Sequence, residues 1–396
     1  MNKMRKIQGG VCASAGFVAG AAGCGIKTGT ITRDDLAIVF SESAATTAAA
    51  TFTTNKVKAA PVRISAEHLR AGRARAVVLN SGNANACTGP TGLADARAMA
   101  SATAKALGVK SQQVLICSTG RIGVPMPMEA VLRGISGVKL NRAGAGKAAR
   151  AIMTSDTFAK EIALEVTTHD GKFRIGGMAK GAGMIDPNMA TMLCLVTTDV
   201  IVPAEALRKA LKDSVEDSFN RITIDGDMST NDTVILLANG ESGISPSPAI
   251  FRSALDFINR ELARMIVKDG EGVSRFVEVE VRRAASKADA RRAAEAIANS
   301  TLVKCAWAGG DPNWGRILDA VGYSGAKMKE SATDIFYDAL PVAINGTVSK
   351  TPVKKLRQVA AKKAFRVTVD LKLGKPSHVV WTTDLTEEYV RLNLGE

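Results

Sequence analysis

The chain has 396 residues, and its hydrophobic share of 46% is that of a folded globular protein, which excludes a disordered one. The formal net charge is +14, but the basic residues are dispersed, which disfavours nucleic-acid binding and favours a basic surface or the steering of small anionic substrates. The six cysteines form no CxxC pair and the three histidines are far apart, so the sequence predicts free thiols in a reducing compartment and no metal site.

The amino-terminal segment places basic residues before an uncharged stretch at residues 9–26. That stretch is rich in glycine and alanine, whereas the apolar region of a signal peptide contains more bulky hydrophobic residues. Ala21-Ala22-Gly23-Cys24 approaches a lipoprotein cleavage site, but the segment around it is too weakly apolar for export. No other stretch approaches the roughly 20 apolar residues of a membrane span. We therefore expect a cytoplasmic protein without membrane contact.

Two predicted strands in the first half end in polar loops. Residues 75–80 form a strand that leads into Ser81-Gly82-Asn83-Ala84-Asn85-Ala86. These asparagines either shape a substrate site or hold a turn through side-chain hydrogen bonds, and the residues alone leave both interpretations open. After a helix at residues 92–107, the strand at residues 114–117 ends in Ser118-Thr119-Gly120. A hydroxyl group beside the unhindered N–H of a glycine has the parts of an oxyanion-binding loop.

A glycine-rich stretch lies near the middle of the chain. A predicted hairpin at residues 161–175 precedes it, and four glycines then fall between residues 176 and 183, followed by Pro187. This composition predicts irregular backbone with tight turns. Thr191 follows Ala190 and opens an apolar strand. If the bond between Ala190 and Thr191 broke, Thr191 would carry both a nucleophilic hydroxyl and its own amine as a base.

The second half contains further polar turns. The loop at residues 225–233 lacks the glutamate that closes a calcium loop, so we expect a structural hydrogen-bonded loop near the site. After a long helix that ends at residue 266, Asp269-Gly270-Glu271-Gly272 places a carboxylate on a constrained turn, which is either a binding group or a simple helix stop. Alternating strands at residues 365–373 and 378–382 predict a smaller α/β unit at the C-terminal end.

Taken together, these loops resemble one family, the ornithine acetyltransferases, which are self-cleaving glutamate N-acetyltransferases of the cyclic arginine pathway. The segments that carry the resemblance run in family order over nearly the whole chain. They are Asn80-Ser81-Gly82-Asn83-Ala84-Asn85-Ala86, Ser118-Thr119-Gly120, Met178-Ala179-Lys180-Gly181-Ala182-Gly183-Met184-Ile185, Pro187-Asn188-Met189-Ala190-Thr191-Met192-Leu193, Ser229-Thr230-Asn231-Asp232-Thr233, Asp269-Gly270-Glu271-Gly272 and Asp311-Pro312-Asn313-Trp314-Gly315-Arg316.

The resemblance implies an α/β (α+β) fold, with an N-terminal-nucleophile-like layered core of sheets and helices at residues 1–275 and a smaller α/β domain at residues 276–396. It also implies autoproteolysis between Ala190 and Thr191. The products would be an α chain of residues 1–190 and a β chain of residues 191–396, which stay associated and form a higher homo-oligomer.

By the same resemblance, Thr191 is the nucleophile that forms an acetyl-enzyme, and Thr119 and Gly120 form the oxyanion hole. The positions that match the family's substrate contacts are Thr154, Lys180, Thr191, Glu271 and Asn393. The family's chains usually continue to a serine or threonine that contacts substrate, and because Leu394-Gly395-Glu396 supplies none, we expect this contact to be altered.

The implied reaction moves an acetyl group from acetylornithine to glutamate in a ping-pong cycle, which yields ornithine and N-acetylglutamate and needs no metal or redox cofactor. The sequence leaves open whether acetyl-CoA serves as a second donor. Two other hypotheses remain: a related N-terminal-nucleophile amidohydrolase or aminopeptidase, in which water accepts the acyl group, and a basic binding protein without enzymatic activity.

Overall fold

The computed structural model describes residues 3–186 and 192–394. The chain forms two compact units, one made of Met1–Asn220 and Asp227–Ile266 and the other of Arg221–Gly226 and Val267–Glu396. Both units combine helices with β-sheets, which confirms the mixed α/β class that the sequence predicts.

The first unit contains two sheets and the helices that cover them. Its strands are β1 (Lys3–Ile7), β2 (Phe17–Ala22), β3 (Leu36–Ser41), β4 (Thr47–Phe52), β5 (Ala76–Asn80), β6 (Val114–Ser118), β7 (Lys160–Thr168), β8 (Gly171–Lys180), β9 (Leu193–Thr198) and β10 (Thr233–Ala238). Its helices are α1 (Ala60–His68), α2 (Gly89–Leu107), α3 (Met128–Gly137), α4 (Ala145–Ala151), α5 (Ala204–Glu216) and α6 (Pro248–Lys268), the last of which ends in the second unit.

The two sheets of the first unit pack face to face between layers of helices. One sheet has the strand order β1-β7-β8-β9-β10-β4 and the other β2-β3-β5-β6. Apolar side chains from both sheets and from α4 form the core between them, whereas α1, α2 and α3 cover the outer face of the four-stranded sheet. Every residue of β9 and β10 is buried, as continuous apolar runs in central strands require.

The glycines before Lys180 are used for close packing and not for turns. The expectation of irregular backbone is wrong for residues 176–180, which belong to β8. A Cβ atom at Gly176 would lie 1.9 Å from the carbonyl oxygen of Gly10, and one at Gly177 would lie 2.9 Å from a methyl group of Leu262 in α6. The missing side chains therefore let neighbouring segments approach both faces of the strand. The irregular backbone begins at Gly181, which has a φ of 152°.

The second unit is built on one six-stranded sheet. Its strands are β11 (Phe276–Arg282), β12 (Asp334–Tyr337), β13 (Leu340–Ile344), β14 (Thr347–Val348), β15 (Ala364–Asp370) and β16 (His378–Thr383), in the order β14-β13-β12-β15-β11-β16. Its helices are α7 (Lys287–Asn299), α8 (Thr301–Ala308), α9 (Trp314–Tyr323), α10 (Val353–Ala360) and α11 (Glu387–Leu392). Helices α7 to α10 contribute to the apolar core on this sheet. None of the helices in the described part of the chain is both long and apolar enough to cross a membrane.

Lys304 in α8 is a fully buried cation in the second unit. Its Nζ atom donates to the carbonyl oxygen of Thr383 at 2.6 Å and to the hydroxyl groups of Thr382 at 3.0 Å and Thr383 at 3.2 Å. Burial lowers the pKa of Lys304 to about 7, because removing the ammonium from water outweighs the attraction of Asp384 and Asp225.

This pKa predicts a pH-dependent stability. Between about 7 and the ordinary value of 10.5, the folded state releases a proton that the unfolded state retains, so the free energy of unfolding rises with pH. Below pH 7, Lys304 is protonated in both the folded and the unfolded state, so it adds no pH dependence to the free energy of unfolding. We expect Lys304→Met to remove the rise. Urea unfolding across this pH range measures it, and the fluorescence of Trp307, Trp314 and Trp381 reports on the second unit because all three tryptophans belong to it.

The matched control is Lys287→Met, which replaces an exposed lysine of the same unit and should leave the pH dependence intact. An equal rise in wild type and in Lys304→Met would contradict the prediction.

Candidate active site

Three strand ends meet at one edge of the six-stranded sheet in the first unit. Lys180, the last residue of β8, lies opposite Leu193, the first residue of β9. Leu193 also lies opposite Thr233, the first residue of the parallel strand β10. The segments that leave or enter these strands therefore converge at this edge. The predicted cleavage site at Ala190 and the predicted nucleophile Thr191 lie outside the described residues.

The Thr119-Gly120 turn follows β6 and has a fixed backbone path. The N–H of Thr119 donates to the carbonyl oxygen of Asn80 at 3.0 Å, which fastens the turn to the end of β5. Gly120 has a φ of 129°, and a Cβ atom there would lie 2.3 Å from the carbonyl carbon of Gly82 and 2.5 Å from the nitrogen of Asn83. Only glycine fits this conformation and this space. Such a rigid backbone is what an oxyanion hole requires.

The buried asparagine loop after β5 supports this turn. The side-chain amide of Asn80 donates to the carbonyl oxygen of Asn83 at 2.9 Å, and its Oδ1 accepts from the hydroxyl of Ser118 at 2.6 Å. Asn83 donates to two further backbone carbonyls, and Asn85 donates to the carbonyl oxygen of Gly92 at 2.9 Å. The amides are thus engaged in holding backbone, so of the two open interpretations the structure favours the hydrogen-bonded turn.

Two consecutive residues fasten this turn to the sheet edge. The side-chain amide of Asn231 donates to the carbonyl oxygen of Ser118 at 2.9 Å. The Oδ1 atom of Asp232 accepts from the N–H of Met192 at 2.9 Å. Ser118 and Met192 are therefore both attached to one dipeptide. The prediction of a structural hydrogen-bonded loop is confirmed for Asn231 and Asp232, and its place near the active site stays a prediction.

Asp232 is fully buried. Its Oδ2 atom has no hydrogen-bond partner among residues 3–186 and 192–394. Burial raises the pKa of Asp232 well above its ordinary value, and the hydrogen bond from Met192 and the positive charge of Lys180 offset this only in part. Sequence reasoning recognised the loop but assigned no chemical role to Asp232.

Lys180 belongs to a buried cluster of charges around Asp156. The Oδ1 atom of Asp156 accepts from Nζ of Lys160 at 2.6 Å and from the N–H of Gly181 at 2.7 Å. Its Oδ2 atom accepts from the N–H of Thr154 at 3.0 Å and lies 4.0 Å from Nζ of Lys180. Burial by itself would raise the pKa of Asp156, but the two lysine charges and these hydrogen bonds outweigh it and lower the pKa to about 2.

One carboxylate therefore lies between two ammonium groups, and the cluster carries a net positive charge. Asp156 and Lys160 are the members that sequence reasoning missed. The available signal was weak: Asp156 stands in the polar segment Thr154-Ser155-Asp156-Thr157, where a turn explains it equally well. The full burial of Lys160 at the start of β7 is visible only in the structure.

Glu271 and Asn393 meet in the second unit. The side-chain amide of Asn393 donates to Oε2 of Glu271 at 3.0 Å and to the carbonyl oxygen of Tyr389 at 2.9 Å. Gly272 has a φ of 64°, and a Cβ atom there would lie 2.4 Å from the nitrogen of Tyr389. The glycine thus lets the Glu271 turn pack against α11, and the Glu271 carboxylate stays partly exposed beside an amide.

The predicted site residues therefore form three local groups: Thr119 with Gly120, Thr154 with Lys180 through Asp156, and Glu271 with Asn393. Their chemical roles stay predictions. Within the described ranges, no cluster of three or more His, Cys, Asp or Glu residues could hold a metal ion.

Known proteins are similar to this chain over almost its full length. The ArgJ family model matches residues 18–395. The arginine biosynthesis bifunctional protein ArgJ of Caldanaerobacter subterraneus is 44% identical over 98% of this chain and 99% of its own, and the glutamate N-acetyltransferase of Methanocaldococcus jannaschii is 45% identical over the same shares. The solved ornithine acetyltransferase of Mycobacterium tuberculosis, complexed with ornithine, is 44% identical, with a TM-score of 0.43 over 47% of this chain and 98% of that chain.

The family model and the two relatives of 44% and 45% identity define the class of the protein as an N-acyltransferase of arginine biosynthesis. The chain belongs to the ArgJ family, which confirms the resemblance seen in the sequence.

The shape of the Thr119-Gly120 turn allows a test of its predicted role as an oxyanion hole. We expect Gly120→Ala to lower kcat by roughly 10²-fold, because the added methyl group must displace the turn and a shift of about 1 Å in a catalytic group has an effect of that size. Steady-state kinetics measures it. Gly137→Ala in α3 is the control, since a Cβ atom there meets nothing within 4 Å. Equal activity of the two variants would show that the turn has no part in catalysis.

Proposed function

We propose that this protein is a glutamate N-acetyltransferase. It moves the acetyl group of N2-acetyl-L-ornithine to L-glutamate through an acetyl ester on Thr191 and releases ornithine and N-acetylglutamate. Support comes from the family match over residues 18–395 and from the printed names of the relatives.

The observation that carries the proposal is the pair of hydrogen bonds made by Asn231 and Asp232. One bond reaches Ser118, the residue before Thr119, and the other reaches Met192, the residue after Thr191. Residues that adjoin the proposed oxyanion hole and the proposed nucleophile are thereby tied to one dipeptide. This proximity is what acyl transfer requires of the two parts.

The proposed maturation is an autoproteolysis. The Thr191 hydroxyl attacks the carbonyl carbon of Ala190, the amide nitrogen takes up a proton and leaves as an amine, and an ester joins the two residues. Water then hydrolyses the ester. The α chain of residues 1–190 ends in a carboxylate, and the β chain of residues 191–396 begins with a free amine and a free hydroxyl.

In the first half of the transfer, the neutral amine of Thr191 accepts the hydroxyl proton while the oxygen attacks the acetyl carbonyl. Such an amine has a pKa of about 7.7–8.0, so a substantial fraction is neutral near pH 7. The Gly120 N–H and the Thr119 hydroxyl stabilise the negative oxygen of the tetrahedral intermediate. Ornithine leaves with the proton, and the amine of glutamate then attacks the ester by the reverse sequence.

The charges around Lys180 and around Glu271 each match a charge of an amino-acid substrate. Lys180, in a cluster of net positive charge, binds a substrate carboxylate together with Thr154. Glu271, with Asn393 at its side, binds the side-chain ammonium of ornithine.

Two further points belong to the proposal. Relatives are named bifunctional, which supports a second activity as an acetyl-CoA-dependent N-acetylglutamate synthase, and an assay with acetyl-CoA and glutamate alone tests it. The α and β chains stay together in a higher homo-oligomer in the cytoplasm.

The primary test is a mass spectrum of the purified protein. We expect two chains that meet at Ala190 and Thr191, and only the intact precursor in Thr191→Ala, because that variant has no hydroxyl group. A single intact wild-type chain that still transferred acetyl groups would refute the mechanism. An amidohydrolase is distinguished by acetate release from acetylornithine without glutamate.

The Lys180→Met variant tests the proposed contact between Lys180 and a substrate carboxylate. Its kinetics are measured on protein that has already been cleaved. A hydrogen bond to a charged group contributes about 1.5–3 kcal/mol, so we expect KM for glutamate to rise roughly ten- to a hundredfold with little change in kcat. Lys172→Met is the matched control, because Lys172 lies in the same strand but its side chain is 63% exposed. Unchanged KM in both variants would remove Lys180 from the binding site.

A further inference from the structure

Asp232 is a buried carboxyl group that the proposed chemistry does not use. It directly precedes β10 and is 0% exposed. Its backbone is fixed, since its carbonyl oxygen accepts the N–H of Thr53 at 2.9 Å. Its side chain reaches the start of the neighbouring strand, where Oδ1 accepts the N–H of Met192 at 2.9 Å.

The second oxygen of this carboxyl is unusual. In the described part of the chain, Oδ2 has no hydrogen-bond partner. The hydroxyl of Thr53, which faces the group, donates instead to the carbonyl oxygen of Ser229 at 2.7 Å. A buried carboxylate with one accepted hydrogen bond is unfavourable, whereas a neutral acid in the same place loses far less on leaving water.

The charges around Asp232 are consistent with a neutral acid. The charged group that acts on it is Lys180 from β8, and Lys180 already faces Asp156 at 4.0 Å. Asp156 in turn is bound by Lys160 and by two backbone N–H groups. Lys180 therefore already has a carboxylate partner without Asp232.

We propose that Asp232 is a positioning residue for the reaction at residue 191, and that as a neutral acid it holds the N–H of Met192 without placing a negative charge beside the site. The inference rests on the proposed function. A carboxylate here would favour the protonated form of the Thr191 amine, which is needed as a base, and would oppose the negative oxygen of the intermediate. A neutral carboxyl keeps the hydrogen bond and avoids both effects.

Asp199 provides a matched control at the other end of β9. It is 3% exposed, and burial raises its pKa as it does that of Asp232. It also accepts backbone hydrogen bonds, from Arg174 at 2.7 Å and from Ala15 at 3.0 Å, but both of its oxygens are engaged. Substitutions at Asp199 therefore disturb the same sheet without touching Met192.

The experiment compares wild type with Asp232→Asn, Asp232→Ala, Asp199→Asn and Asp199→Ala in the full chain. Intact mass spectrometry follows the cleavage of newly made precursor, and kinetics with acetylornithine and glutamate gives kcat and KM after cleavage. We expect Asp232→Ala to slow cleavage and to lower kcat by about tenfold or more at unchanged KM, because the segment beside residue 191 loses its anchor. Asp232→Asn keeps a neutral acceptor and should stay within about threefold of wild type.

The pH profile separates positioning from simple structural support. In wild type the rate should fall on the alkaline side as Asp232 ionises, and in Asp232→Asn that fall should move to higher pH. Asp199→Asn should retain the wild-type profile.

Equal losses of rate in Asp232→Asn and Asp232→Ala would overturn the inference, as would a kcat for Asp232→Ala no lower than that of Asp199→Ala. If Asp232→Ala fails to fold, the rate and the pH profile of Asp232→Asn decide whether the inference stands. A wild-type protein that neither cleaves itself nor transfers acetyl would refute the proposed function, whereas an active wild type with an unaffected Asp232→Ala would refute this inference alone.

Discussion

The candidate site of the first unit depends on two hydrogen bonds made by adjacent residues. The side-chain amide of Asn231 donates to Ser118, and the carboxyl group of Asp232 accepts from Met192. The Thr119-Gly120 turn follows β6 of the four-stranded sheet, and Met192 directly precedes β9 of the six-stranded one. The loop before β10 is therefore a short polar connection between two sheets that share an apolar core. Hydrophobic packing sets the spacing of such layers but is not directional, so hydrogen bonds must fix the relative position of the two segments.

Electrostatics adds a second constraint at the same edge. Two lysines and two backbone N–H groups lower the pKa of Asp156, whereas burial raises the pKa of Asp232 well above its ordinary value. Two buried carboxyl groups near Lys180 thus differ in charge because of their surroundings.

The sequence was sufficient for the local structure and for the chemical class. Alternation and glycine placement identified the β7–β8 hairpin, the α2 helix and the turn after β6, since these features depend on neighbours in the chain. It was not sufficient for contacts between distant segments. Glycines that permit close packing look the same in sequence as glycines that permit turns, and this is why residues 176–180 were assigned to irregular backbone.

The charge pattern at the site was hidden for the same reason. The roles of Asp156 and Asp232 depend on burial and on partners that are 25 and 40 residues away, at Gly181 and Met192. Segment Arg221–Gly226 joins the second unit although it is flanked on both sides by residues of the first, and no local composition marks this exchange. The family resemblance supplied both Glu271 and Asn393, and in the structure a hydrogen bond joins their side chains.

The strand order β1-β7-β8-β9-β10-β4 has a consequence for a chain cut between residues 190 and 191. Strands β9 and β10 would then come from one polypeptide, with a strand of the other polypeptide on each side of them. The two products would be interleaved within a single sheet. To separate them, the ladders β8–β9 and β10–β4 would both have to open, and the buried face of the sheet would be exposed to water. Cleavage would create two new termini without creating a new folding unit.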